Sequence, residues 1–453
     1  MVTRPLSDSA NPFLRDNHAP VDVETTSLDL RVTGRIPTEL NGRYLRNGPN
    51  PMNNIDPENH HWFVGDGMVH GVRLRDGNAD WYRNRWVRSK SVSAALGEAP
   101  VPSDWPAENM DFAANTNVIG HAGKTFALVE GGAPPVELGF ELETIRASNL
   151  NGTLPQAFSA HPKRDPKTGE LHVMSYWWGW GNQVQYLVVN VAGEVRRTVD
   201  IPLPGSPMLH DLAFTEKYVL IFDLPCVFNL EMAMSGIRFP YHWQDTYQAR
   251  IGLLPREGSA GDIRWCEIDS CYIFHPMNAY DAPDGTVVLN AVRHDRMFSS
   301  ELRGPSEGPP TLDQWILNPA TGAANHQLLD DRPQEFPRID ERIVGQPNRY
   351  GYSAGVGTIF AQDVLIKHDL KTAAAQVRKD GTRYGYGEPV FIPRSLGAAE
   401  DDGWVMALRH DHETDLSELA IIDSRAFTDE PVAVVHLPVR VPNGFHGNWI
   451  AVN

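Results

Sequence analysis

Four histidines stand in four separate strand-like segments, each followed by a small or turn-forming residue. They are His161 in SAHPK, His210 in MLHDLAFT, His275 in YIFHPMNAYD and His446 in NGFHGNWI. The gaps between them are 49, 65 and 171 residues. A zinc finger or a helix-borne site takes its ligands at short spacings, because one turn or one helical face must present both. Side chains this far apart meet only in a radial fold, where each repeat points one residue at a common axis. A site of four imidazoles suits iron or copper better than calcium or magnesium, which prefer oxygen.

The rest of the chain reads as short strands and turns. Candidate strands cover 124–130, 170–178, 185–191, 217–224, 261–268, 286–292, 363–370, 403–410, 418–424 and 432–438. They are rich in Val, Ile, Leu and aromatics and are bounded by Gly, Pro, Asp and Asn. Helix candidates are short, around Ser91–Leu96 and Glu231–Gly236. A strand, a polar turn and a second strand recur, as in VNVAGEVRRTVDIP and LNPATGAANHQLL. Meandering four-stranded units are what a β-propeller blade needs, and about seven fit this length. The class is therefore all-β, in one domain spanning 1–453, with residues 1–20 expected as a loosely ordered N-terminal arm. RGPSEGPP (303–310) reads as a surface loop within it.

Composition narrows the function. With 41% hydrophobic and 21% charged residues the chain has an ordinary globular make-up. A net charge of −17 argues against nucleic acid, which wants a basic face. Cys226, Cys266 and Cys271 are too few and too clustered for a disulfide framework, which points to a reducing cytoplasm. The N-terminus lacks the apolar run of a secretory signal. No stretch of 18 apolar residues occurs, and the best run, 218–230, is broken by Asp223 and Asn229.

HPK, LHDLAFT, FHPMNAYD and FHGNW occur in that order after NGRYLRNGPNP and FVGDGMVHG. From about Leu40 to the C-terminus this ordered set resembles the carotenoid cleavage oxygenase family. The resemblance implies a seven-bladed propeller capped over one face by loops and short helices. It also implies Fe(II) on the four histidines, with dioxygen as co-substrate. In the family three of the four histidines lean on a carboxylate, for which the candidates here are Glu130 in ALVEGG, Glu335 in QEFPRI and Glu388 in GEPVFIPR. A carboxylate fixes the ring and raises its basicity, but which Glu serves which His is not readable from the sequence. Thr116, in ANTNVIGHAGK, matches a family threonine whose methyl lies beside an open metal position.

The activity so implied is oxidative scission of a conjugated C=C bond of a carotenoid or apocarotenoid, giving two carbonyl products. Such a substrate needs an apolar tunnel, and Phe112, Val129, Trp177, Phe228 and Phe274 are its candidate walls. Segment 225–245 reads either as a nonpolar entry patch touching membranes or as a cap element packed on the propeller. His60, His61, His410 and His412 read as polar loop residues. Relatives that cleave phenolic stilbenes carry a lysine immediately before the glutamate of the Glu130 motif; here that position is Val129, and Lys124 lies a strand length away. This favours an apocarotenoid over a stilbenoid or phenylpropanoid. The rivals are a stilbenoid cleaver of the same family, a calcium-dependent propeller hydrolase or lactonase, and a non-catalytic propeller scaffold.

Overall fold

Burial along the strands separates the layers of each sheet. Leu171–Tyr176 is buried at all six positions, because a blade's middle strands are covered on both faces by neighbouring blades. Val195–Pro202, an outer strand, alternates between half-buried and exposed side chains over most of its length. The computed structural model describes residues 9–52, 55–105, 111–357 and 362–452. Among these residues seven antiparallel sheets of four to six strands form, with one two-stranded ribbon outside them.

The sheets are the blades of a seven-bladed propeller. Their innermost strands are Gly447–Ala451, Asn117–His121, Lys163–Arg164, Ala213–Phe214, Pro276–Asp281, Gln334–Arg338 and Val390–Pro393. Both chain ends close the ring. Gly447–Ala451 pairs with Gly42–Pro49 (Gly42↔Ala451 through Arg46↔Gly447), and Val32–Gly34 pairs with Ala433–His436. Late strands are thereby hydrogen-bonded to early ones, and the circle is sealed without a free edge at the seam.

The cap contains α1 (Lys90–Leu96) and α2 (Leu230–Met234). Ser89 caps the first through Val92 N and Asn229 the second through Met232 N, while Gly97 ends α1 at φ 71°. The ribbon Cys226–Phe228 with Tyr241–Trp243 flanks α2. Residues 303–310 carry no regular structure.

Two expectations need correction. Residues 1–8 lie outside the described residues, but 9–20 are not a loose arm. Pro12–Leu14 and Asp16–His18 are 3-10 turns, Phe13 and Leu14 are fully buried, and Phe13 stacks on Trp62 at 5.4 Å. Two large apolar side chains hold this segment down. His60, His61 and His410 are likewise buried rather than loop-exposed. His61 accepts from Phe63 N and stacks on Phe239 at 4.0 Å, and His410 is interior to the strand Gly403–Asp411.

Candidate metal centre

The geometry follows from where each innermost strand begins. The residue at the head of, or one to three residues ahead of, each of the seven is in turn His446, Thr116, His161 (two ahead), His210 (three ahead), His275, Glu335 and Glu388 (two ahead). Every blade therefore delivers one polar side chain near the axis. Four are imidazoles, two are carboxylates and one is threonine.

Ring nitrogens of His161, His210, His275 and His446 all lie within 4.8 Å of one another, and all four residues are buried. The three glutamates sort themselves by distance. Glu130 Oε1 takes His210 Nδ1 at 2.7 Å, Glu335 Oε2 takes His275 Nδ1 at 2.6 Å, and Glu388 Oε1 takes His446 Nδ1 at 3.0 Å. With Nδ1–H donated, Nε2 of each ring is left as a lone pair facing the axis. Among the described residues His161 has no such carboxylate partner: its Nδ1 is 3.7 Å from Asp211 Oδ2, which is bound instead by Lys163 Nζ at 2.7 Å.

These residues fit a cation. His210 Nε2 and His275 Nε2 face each other at 3.2 Å, and His161 Nε2 is buried with no hydrogen-bond partner among the described residues. Two lone pairs this close repel unless a positive centre lies between them. Burial and the neighbouring imidazoles hold His161 well below the ordinary histidine range. Burial, with His446 and His210 adding to it, lowers His275 to about 3 despite Glu335. Both rings are thus neutral, the form that ligates. Burial pulls His210 down as well, but Glu130 outweighs it and the net shift is upward. An all-nitrogen set of four imidazoles is a site for a transition metal and not for calcium.

Local backbone aims the carboxylates. A bulge between Glu335 and Arg338 puts Phe336 at φ 54°, rare for a bulky residue, and stacks its ring 5.4 Å from His275. Glu335 is completely buried and also accepts from His294 Nε2 at 2.8 Å and Phe336 N at 2.6 Å. Burial favours its protonation, yet His275 and His294 hold it well below the usual carboxylate range. Arg338 Nη1 lies 3.2 Å from Glu388 Oε1, and Gly447 N donates to its Oε2 at 2.8 Å, so Glu388 sits at about 2 against the pull of burial. Tyr176 donates to Glu130 at 3.1 Å. His294 and Arg338 were not nominated from sequence, and Tyr176 stood out only as an aromatic near the motifs, not as a partner of Glu130. Arg338 had a signal, three residues after Glu335 in the same motif; His294, just past the strand Val287–Arg293, had none.

Two cavities reach the histidines from opposite sides. One, of about 660 Å³, opens under the cap and touches His210, His275 and His446. Its wall includes Thr116, Phe112, Val129, Phe228 and Phe274, with Trp62, Phe63, Tyr176 and Trp178 among the further aromatics. The Thr116 hydroxyl donates to Asn115 Oδ1 at 2.9 Å, which leaves its methyl for the cavity. Trp177 is the exception among the nominated residues. The strand ends at Tyr176 and a 3-10 turn follows at Trp178–Trp180, so Tyr176 and Trp178 face inward. Trp177 points to the other side, onto Gly132, where a Cβ would lie 2.6 Å from its ring. The second cavity, about 760 Å³, runs along the propeller axis from the opposite face to His161, His275 and His446. Lys124 lies there, paired with Glu137 at 3.0 Å, and not in the cap cavity.

Comparison with known proteins settles the family. The model of the retinal pigment epithelial membrane protein family matches residues 18–451. The chain belongs to the carotenoid cleavage oxygenase family. It is 44% identical to a Mycobacterium tuberculosis carotenoid cleavage oxygenase, covering 99% of each chain. The crystal structure of Pseudomonas brassicacearum lignostilbene dioxygenase superposes with TM-score 0.87 at 27% identity, covering 99% of each chain. Cobalt-substituted Synechocystis apocarotenoid oxygenase superposes with TM-score 0.86 at 26% identity, covering 96% of this chain and 97% of that one. As a member of this family the chain is an iron-dependent dioxygenase that uses O2, and the four buried histidines are its potential metal site.

Proposed function

We propose that this enzyme cleaves a conjugated C=C bond of an apocarotenoid, with the metal held by His161, His210, His275 and His446. Iron, when bound, supplies the activation of dioxygen. The chain's own residues do the rest. Glu130, Glu335 and Glu388 fix three rings with Nε2 toward the axis. Thr116 presents a methyl beside the centre, and Phe112, Val129, Phe228 and Phe274 hold a flat apolar chain and exclude water. No side chain is required as a general base, since the reaction splits an alkene and moves no substrate proton.

One observation carries the choice of substrate: the wall beside Glu130 is Val129, and no lysine lines the cap cavity among the described residues. A phenol seeking an ammonium finds none, and Tyr176 is already engaged with Glu130. A polyene needs only apolar surface, at about 25 cal/mol per Å² buried. Mass spectrometry of products from paired reactions tests this. Apocarotenals should give two carbonyl fragments and 4-hydroxystilbenes little product. Efficient cleavage of the stilbene, with none of any apocarotenal, reverses the assignment in favour of a stilbenoid substrate.

Leu230 and Met234 of α2 are 61% and 80% exposed at the mouth of the same cavity. They support delivery of an insoluble substrate there, by direct contact of the cap with a lipid surface. No helix among the described residues is long and apolar enough to cross a membrane.

A further inference from the structure

The two cavities differ in what they let through. The cap cavity is walled mainly by aromatics and aliphatics, with Asp66, Asp111, Glu130 and Arg238 as its charged residues. The axial channel carries more charge, with Lys163 and Asp211 beside His161 and Arg338 with Glu341 and Glu388 beside His446, set among apolar side chains such as Phe214, Met277 and Ile450. These charges are matched: Lys163 with Asp211 at 2.7 Å, and Arg338 with Glu341 at 2.6 Å and Glu388 at 3.2 Å. Arg43 and Arg164 on the outer wall bind backbone carbonyls, the Thr125 hydroxyl and His121, and Arg43 is covered by Phe140 at 4.4 Å. Their charge is thereby partly masked.

A hydrated divalent ion loses several kcal/mol on entering an apolar passage, whereas a polar channel keeps its water shell in place. Glu130, Glu335 and Glu388 behind the rings add a negative field that draws a cation inward. Every metal site needs an entry path, and among the described residues these two cavities reach the histidines. We propose that the metal ion enters and leaves through the axial channel, while the cap cavity serves the organic substrate alone. The inference rests on the four-histidine site being the metal site. Its consequence is that metal exchange continues while a polyene fills the cap cavity.

The test uses reversible plugs. The three native cysteines are free and buried, so an introduced surface cysteine can be labelled selectively. Ala122→Cys and Ala451→Cys lie on the axial channel, and Met234→Cys on the mouth of the cap cavity. Each variant is loaded with Co(II) and labelled with a bulky polycyclic thiol reagent through a disulfide. Excess chelator is then added, and loss of the cobalt visible absorption band is timed. Labels at Ala122 and Ala451 should slow release by about tenfold or more, and reduction should restore it. The label at Met234 should change the rate by less than about twofold. Equal or greater slowing from the Met234 label overturns the proposal, and so does an unchanged rate with both channel plugs. Failure to bind Co(II) at all before labelling would instead count against the four-histidine site, so the two failures are distinguishable.

Discussion

Glu335→Gln is the substitution whose effect the geometry defines most sharply. The carboxylate receives three donors, His275 Nδ1 at 2.6 Å, His294 Nε2 at 2.8 Å and Phe336 N at 2.6 Å, with no exposure to water. Glutamine has the same shape but only one accepting oxygen, and its NH2 must then face a ring N–H. One histidine has to change tautomer or give up its bond. If His275 changes, its proton moves to Nε2 and blocks the position that ligates. A buried hydrogen bond to a charged group contributes about 1.5–3 kcal/mol, and an outer-shell partner is worth roughly 10–100-fold in metal affinity. At 1.4 kcal/mol per tenfold, that range is about 1.4–2.8 kcal/mol, so the two figures agree. The assay is competition for Co(II) against a chelator of known affinity, run beside thermal unfolding of both metal-loaded proteins. An affinity within about twofold of wild type, with an unaltered cobalt spectrum, would refute the claim that Glu335 fixes the His275 tautomer.

Val129→Lys places an ammonium in the cap cavity one residue from Glu130, and should raise turnover of 4-hydroxystilbenes while raising KM for apocarotenals; unchanged selectivity in paired kinetics removes Val129 from substrate choice. Phe274→Ala, in the cavity wall, should raise KM for an apocarotenal at least severalfold, whereas Trp177→Phe should leave it within about twofold, as steady-state kinetics of both will show. Phe13→Ala removes a ring that is 1% exposed and stacked on Trp62, and should cost about 3–5 kcal/mol in denaturant unfolding; a loss below about 1 kcal/mol would mean that residues 9–20 are not part of the folded unit.

What the sequence disclosed was periodic or motif-bound. Apolar runs bounded by turn residues located ten of the strands, and the long gaps between His161, His210, His275 and His446 demanded an axis. Both short helices were legible to within a turn, around Ser91–Leu96 and Glu231–Gly236, and the structure adds the caps Ser89 and Asn229 just ahead of them. The pairings were not legible, since Glu335 meets His275 across 60 residues and Glu388 meets His446 across 58. Such contacts are set by blade order, which no local pattern encodes. His61 and His410 misled for the opposite reason: polar neighbours in sequence suggested a loop, while packing on Phe239 and strand pairing bury them. Trp177 and Trp178 could not be told apart until the 3-10 turn fixed which one faces the cavity.

The proposed site places one metal ion on four histidines brought together by four blades. Elemental analysis of protein purified without added metal, in wild type and in His161→Ala, His210→Ala, His275→Ala and His446→Ala, tests it most directly. About one iron per wild-type chain, with most of it lost in every one of the four variants while each remains folded, is the predicted result. Full iron occupancy in any of the four, or stoichiometric calcium in active wild-type enzyme, would contradict it.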